Sequence, residues 1–284
     1  MSRIAIIGGG NIGEALLAGL LRSGRQVKDM VVAERVPARA RHLSEKYSVL
    51  VTKVADAVEN ANFVVLAVKP SDVEAVTDEI AEAVARAEAD TVEHVFVTVI
   101  AGVSTAYFEA KLPAGAPVIR VMPNSPMVVG AGVSAIAKGR FATVEQLKEV
   151  SALFDAVGGV LTVPEAQLDA VTAVSGSGPA YFFLMVEALI DAGVAVGLSR
   201  AVATDLVVQT MAGSAAMLLE RLDSAEPSAE PDTTPARLRA TVTSPAGTTA
   251  AGLGELERGG LRAAVNAAVL AAKNRASQLG ITSE

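Results

Sequence analysis

Three glycines, Gly8, Gly10 and Gly13, stand at G-x-G-x-x-G spacing in the stretch Gly8-Gly9-Gly10-Asn11-Ile12-Gly13. Each has a physical job in such a pattern. The first allows a tight turn, the second lets a phosphate approach the backbone, and the third lets a helix pack closely on a strand. A helix starting there leaves unpaired N–H groups and the positive end of its dipole, which suit an anion. The spacing alone is a weak signal, but its flanks supply the context it needs. Ile4 to Ile7 runs in as an apolar strand, and leucines at 16, 17, 20 and 21 follow with helical spacing. The chemistry implied is dinucleotide binding. A second anion-binding stretch lies more than 200 residues later, Thr243-Ser244-Pro245-Ala246-Gly247-Thr248-Thr249. Its hydroxyls and backbone N–H groups at a helix start would fit a carboxylate, although plain N-capping uses the same residues.

The elements that must position these residues alternate. Met30 to Ala33 is a second strand, and Glu34 ends it about 20 residues past the last motif glycine, where an acid accepts ribose hydroxyls and favours NAD. Arg35 and Arg39 follow at once and could hold a 2′-phosphate instead, so NAD and NADP both stay open; a solvated helix face would equally explain Arg39 and Arg41. Val49 to Val51 is a short strand, and Asp56 to Asn60 a short helical link. Phe63 to Val68 is an apolar run fit for a buried parallel strand. It delivers Ala67, Val68, Lys69 and Pro70 to the sheet's carboxyl edge, where ligands of open α/β sheets bind. Ser71 can cap a helix from Asp72 to about Ala89. Val95 to Ile100 ends in Ala101-Gly102, and Pro117 to Met122 leads to Pro123-Asn124-Ser125-Pro126, with Asn124 a polar contact at the same edge. Gly132 to Ala137 and Gly158 to Val163 close the sheet around a helix from Thr143 to Val157. This pattern describes a doubly wound Rossmann sheet over residues 1–163.

From Pro164 the strand signal stops, and residues 164–284 read as an all-helical domain. Glu165 to Val174 has helical spacing, and Ser175 to Tyr181 reads as a small-residue loop. Tyr181 to Val196 is apolar around nearly its whole circumference, and a helix capped by Ser199 runs to about Leu222. Such helices must be buried, and about 120 residues cannot bury several of them, so a subunit interface is expected. On the first of them, Glu187 reads as a hydrogen-bonded structural acid. Asp223 to Pro235 reads as a mobile acidic loop, and Leu261 to Leu279 as an amphipathic last helix.

Composition excludes several classes. The chain has no cysteine, hence no disulfide, thiolate metal site or cysteine nucleophile, as fits a reducing cytoplasm. A net charge of −7 with no basic cluster argues against nucleic acid. No uninterrupted apolar run reaches 18 residues, so no membrane span is expected, and the strand at the N-terminus leaves no room for a signal peptide. His42 and His94 lie outside the motifs and read as surface residues.

Together the motifs resemble the pyrroline-5-carboxylate reductase family. The matching stretches are Gly8 to Gly13, Ala67-Val68-Lys69-Pro70, Met122-Pro123-Asn124, Ser175-Gly176-Ser177-Gly178-Pro179-Ala180-Tyr181 and Thr243 to Thr249. The resemblance implies a Rossmann domain followed by a helical domain that intertwines in a homodimer, often assembled further into a decamer. It implies reduction of L-1-pyrroline-5-carboxylate to L-proline by NADP- or NAD-borne hydride. The carboxylate would lie on Ser244, Gly247, Thr248 and Thr249. The dinucleotide would lie on Gly8, Gly10, Asn11, Ile12, Gly13, Glu34, Arg35 and the 67–70 stretch, with the nicotinamide near Lys69, Ala101, Gly102 and Asn124. The family usually has glycine where this chain has Ala246, and its insert at 223–235 is longer than is usual. Reducing a preformed cyclic imine needs no metal, nucleophile or strong base, because solvent can protonate the nitrogen; no catalytic side chain and no metal are therefore expected. A β-hydroxyacid dehydrogenase would need a lysine on a second-domain helix, and residues 164–260 contain none.

Overall fold

The computed structural model describes residues 2–86, 93–223 and 234–279. Two compact units form: Met1–Pro179 with Val269–Glu284, and Ala180–Ala268.

The first unit is built on one eight-stranded sheet. In chain order its elements are β1 (Ile4–Ile7), α1 (Asn11–Arg22), β2 (Met30–Ala33), α2 (Pro37–Tyr47), β3 (Leu50–Thr52), α3 (Val54–Val58), β4 (Phe63–Leu66) and α4 (Val73–Arg86). They continue with β5 (Val95–Thr98), α5 (Thr105–Lys111), β6 (Val118–Met122), β7 (Gly132–Lys138), α6 (Val144–Phe154), β8 (Gly158–Thr162) and α7 (Leu168–Val171). The strand order is β3-β2-β1-β4-β5-β6-β7-β8. All pairings are parallel except β6 with β7. The chain order reverses direction between β1 and β4, which opens a crevice at the carboxyl ends of those strands.

Alternation along the strands divides two cores. Ile4 and Ile6 of β1 face Leu16, Leu17 and Leu20 of α1, while Ala5 and Ile7 join Val64, Phe96 and Phe108 on the opposite side. With both faces covered, β1, β2, β4 and β5 are buried along their whole length, as the unbroken apolar sequences of β1, β2 and β4 require. Thr143 caps α6 through a reciprocal pair with Gln146. Ser71 caps nothing: a 3-10 turn over Pro70–Asp72 carries the chain into α4, and the expected end near Ala89 lies outside the described residues.

The small-residue stretch expected as a loop is helical. Thr172–Gly176 forms a π turn, with the Ser177 N–H donating to the Thr172 carbonyl at 2.8 Å. Gly178 then opens α8 (Gly178–Ala195). Pro179 is tolerated because it stands in the first turn, where its missing donor has no partner to lose. His94 also departs from expectation. It is 8% exposed, its Nδ1 lies 2.7 Å from the Ala61 carbonyl, and its ring packs on Phe96.

The second unit holds most of α8, then α9 (Arg200–Asp223), α10 (Thr234–Thr241), α11 (Thr248–Arg258) and the first part of α12 (Leu261–Leu279). Arg200 pairs with Asp191 at 2.7 Å across the turn from α8 to α9. Within the single chain Phe182, Phe183, Leu184, Leu189, Leu206 and Leu219 are all more than half exposed. Two stretches, Glu165–Ala195 and Arg200–Arg221, are long and apolar enough to cross a membrane by length and composition, although no uninterrupted apolar run of 18 exists. Of the expected acidic loop, Asp223 ends α9 and Thr234 and Pro235 begin α10; residues 224–233 lie outside the described residues.

Candidate active site

The glycine turn meets the physical requirements of its spacing. Gly8 has φ +106°, and a Cβ on it would meet the Ala67 carbonyl oxygen at 2.6 Å. Its N–H donates to Ala33 at 2.9 Å. This close approach ties the glycine turn to both the β2 end and the Ala67-Val68-Lys69-Pro70 stretch. Gly13 is buried under the Gly8 carbonyl, leaving no room for a methyl group. Gly10 is the opposite case: a Cβ there would meet nothing within 4 Å. It is the N-cap of α1 and has no side chain to occupy the first-turn N–H groups, so open space and free donors coincide where a phosphate would approach.

A cleft of about 520 Å³ runs past this turn. Of the residues expected from the sequence it brings together Gly8, Gly10, Glu34, Arg35, Ala67, Val68 and Lys69. Asn11, Ile12 and Gly13 continue into α1, and Pro70 opens the 3-10 turn beyond Lys69. Ala101 and Gly102 follow β5, with Gly102 at φ +77°. Asn124 is tied on both sides: its Nδ2 donates to the Ser175 carbonyl at 3.2 Å and its Oδ1 accepts the Val133 N–H at 2.9 Å. It therefore fastens the π turn to the carboxyl end of β6.

The charged residues near the ribose end are also engaged. Glu34 accepts the Gly9 N–H at 2.9 Å and the Val36 N–H at 2.7 Å. Arg35 pairs with Asp72 at 2.7 Å. Arg39 donates to the Gly9 carbonyl at 2.6 Å and to Glu14. Lys53, at the carboxyl end of β3, lines the same cleft and pairs with no carboxylate among the described residues. Sequence reading missed it because the position of β3 beside β2 is a fact of sheet order, not of local pattern. It missed Glu14 as well, which gathers Arg39, His42, Lys46 and Tyr47. Among the described residues no cluster of His, Asp or Glu could hold a metal.

The stretch Thr243 to Thr249, expected to receive an anion, lies in the second unit. Thr248 and Thr249 are the first residues of α11, and Gly247 is its N-cap without a side-chain cap bond. The Gly247 N–H donates to the Ser244 carbonyl at 3.1 Å, and Ser244 Oγ packs where a Cβ on Gly247 would stand, so a side chain there would have to turn the Ser244 hydroxyl aside. Ala246 stands at φ +57°, a left-handed conformation costing a non-glycine residue about 1 kcal/mol. That accounts for the glycine usual at this place in the resembled family.

Two family models match the chain. Residues 165–279 match the family model for pyrroline-5-carboxylate reductase dimerisation, and residues 3–102 match that for NADP oxidoreductase, coenzyme F420-dependent. A pyrroline-5-carboxylate reductase of Mycobacterium tuberculosis is 70% identical, over 100% of this chain and 99% of its own. One from Corynebacterium melassecola is 44% identical over 99% of each. The chain belongs to the pyrroline-5-carboxylate reductase family. Its solved relatives share the whole architecture. The reductase of Coxiella burnetii superposes with a TM-score of 0.87 at 34% identity, covering 99% of both chains. The Plasmodium falciparum enzyme with NADP bound gives 0.81 at 25% identity, over 99% of this chain and 98% of that one. The dimerisation match spans the apolar helices α8 and α9, so the chain assembles with copies of itself.

Proposed function

We propose that this protein reduces L-1-pyrroline-5-carboxylate to L-proline with a hydride from NAD(P)H, the last step of proline biosynthesis. The observation that carries the reading is end-to-end likeness, at 70% identity, to a pyrroline-5-carboxylate reductase. Bound NAD(P)H supplies the hydride. The chain's own residues bind and orient: Gly8 shapes the turn, and Gly10, Asn11, Ile12 and Gly13 at the start of α1 receive the pyrophosphate. Glu34 and Arg35 border the ribose. Ala67, Val68, Lys69, Pro70, Ala101 and Gly102 line the nicotinamide side, and Asn124 orders that side through Ser175. Ser244, Gly247, Thr248 and Thr249 take the substrate carboxylate. Holding the ring in near-attack geometry lowers the barrier by several kcal/mol, and solvent protonates the imine nitrogen.

We assign dinucleotide binding to residues 1–163 and substrate binding and dimerisation to residues 164–284. The boundary is supported by Pro164 directly after the closing strand and by the dimerisation match from residue 165. The assembly is a homodimer, extended to a decamer, in which a second copy covers α8 and α9; its place is the cytoplasm. Purified protein given L-1-pyrroline-5-carboxylate with NADPH or NADH should lose absorbance at 340 nm. No loss with either cofactor would refute the reading.

A further inference from the structure

Two adjacent peptide planes of the glycine turn are held by side chains, one of them through a relay that starts outside the cleft. The Gly9 N–H donates to Glu34 at 2.9 Å, and the Gly9 carbonyl accepts from Arg39 Nε at 2.6 Å. Trans peptide units are planar, with N–H and C=O pointing opposite ways. Fixing the Gly9 carbonyl therefore fixes the direction of the Gly10 N–H, and fixing the Gly9 N–H fixes the Gly8 carbonyl, under which Gly13 packs. Arg39 is itself aimed. Its second donor goes to Glu14, in the first turn of α1, whose other oxygen gathers His42 at 3.1 Å, Lys46 at 3.0 Å and Tyr47 at 2.8 Å. All four donors come from α2, so Glu14 bolts α2 to α1. Leu43 of α2 completes the clamp: its Cδ1 methyl packs where a Cβ on Gly9 would stand.

We propose that Glu14 is a positioning residue of the dinucleotide site: by holding Arg39 against the Gly9 carbonyl, it sets the peptide plane that presents the Gly10 N–H to the pyrophosphate. Glu14 touches no ligand in this scheme. Its side chain is only 15% exposed and spends its oxygens on four protein donors. Its effect passes through Arg39, whose rigid planar fork can bond Glu14 and a carbonyl at once. The inference rests on the dinucleotide reading of the cleft, not on the identity of the imine.

The test uses the full-length protein and ADP-ribose, a probe with the pyrophosphate and no nicotinamide. Calorimetric Kd values are measured for wild type, Glu14→Gln, Arg39→Gln and the double variant, each well below its own Tm. Glu14→Gln and Arg39→Gln should each weaken ADP-ribose about tenfold, the size of one lost charge-assisted hydrogen bond. The double variant should be no worse than either single, because one relay is broken once. The KM for pyrroline-5-carboxylate at saturating NADPH should not move. Single-variant Kd values within about twofold of wild type, additive losses, or a parallel rise in the imine KM would each overturn the proposal. Arg39→Gln keeps the test decisive if Glu14→Gln fails to fold. Failure of the reductase reading shows separately, as wild-type protein that binds ADP-ribose yet turns over no imine.

Discussion

Gly10 and Gly13 are both small, yet the structure gives a methyl group opposite consequences at the two positions. At Gly13 it would overlap the Gly8 carbonyl and press on Ile6 Cγ2 at 3.2 Å. Overpacking of that kind costs about 1–3 kcal/mol. For a unit of this size each kcal/mol is worth roughly 2–4 °C, so Gly13→Ala should lower Tm by about 2–12 °C. At Gly10 the backbone has φ −68° and ψ −169°, ordinary extended geometry, and the methyl meets nothing within 4 Å. The only stability term is the poorer N-cap propensity of alanine, below about 1 kcal/mol. The methyl would, however, stand in the path of the pyrophosphate. Losing one charge-assisted backbone hydrogen bond of about 1.5–3 kcal/mol weakens the dinucleotide about tenfold to a hundredfold. Differential scanning fluorimetry and calorimetric titration with NADPH separate the two effects. Gly10→Ala should keep its Tm and lose affinity. A Gly10→Ala protein that binds NADPH as wild type does would show that no phosphate approaches this turn, and the cleft assignment would fall with it.

Three further outcomes are expected. Thr249→Val should raise the KM for pyrroline-5-carboxylate while NADPH affinity stays put, and an unchanged KM would remove Thr249 from the carboxylate site. Phe183→Glu places a charge on a side chain 64% exposed in the single chain and should yield smaller species in sedimentation velocity; an unaltered profile would move the interface elsewhere. Burial alone would raise the Glu14 carboxyl, but donors from Lys46, His42, Tyr47 and Arg39 outweigh it and hold the group at about 2, against 4.5 unperturbed. A depressed carboxylate stabilises the fold above its unfolded value and loses that stabilisation as pH falls through the folded one. Lys46 and His42 are half in solvent, so screening leaves about 1–2 kcal/mol of the linkage. Glu14→Gln should thus flatten the fall of Tm between pH 5 and pH 2, and identical slopes would refute it.

The strand pattern was legible because β1, β2 and β4 are unbroken apolar runs and several turns carry glycine or proline. The glycine turn was legible for the same reason, since strand, spacing and helix are consecutive in the chain. What local pattern could not show was where long side chains spend their hydrogen bonds. Glu34 reads as a free acceptor for ribose, yet both its oxygens serve backbone N–H groups. Asn124 reads as a free amide, yet it joins Ser175 to Val133 across the fold. His94 reads as surface because nothing beside it in sequence reveals the Ala61 carbonyl 33 residues away. Ser175 to Tyr181 misled for a different reason. Glycine, serine and proline break helices in isolation, but a widened π turn accommodates them where Asn124 accepts responsibility for the exposed carbonyl by donating to it.

The apolar helices raise a choice that magnitudes can settle. By length and composition α8 and α9 would serve in a bilayer. In lipid, however, α8 would carry Glu187 and Asp191 within its 18 residues. Each acid near the bilayer centre costs roughly 2.5–3.5 kcal/mol, about 5–7 kcal/mol for the pair. Against a second protein copy the same acids can stay in water, as Asp191 does in the single chain beside Arg200, both more than half exposed. The apolar remainder then gains about 25 cal/mol for each Å² it buries, with no charge to desolvate. On this reckoning a partner chain would cover α8 at lower free energy than lipid would, in keeping with the dimerisation match over the same residues. Sedimentation of detergent-free protein as a single oligomer would bear this out. Recovery only in the presence of detergent would reverse the choice.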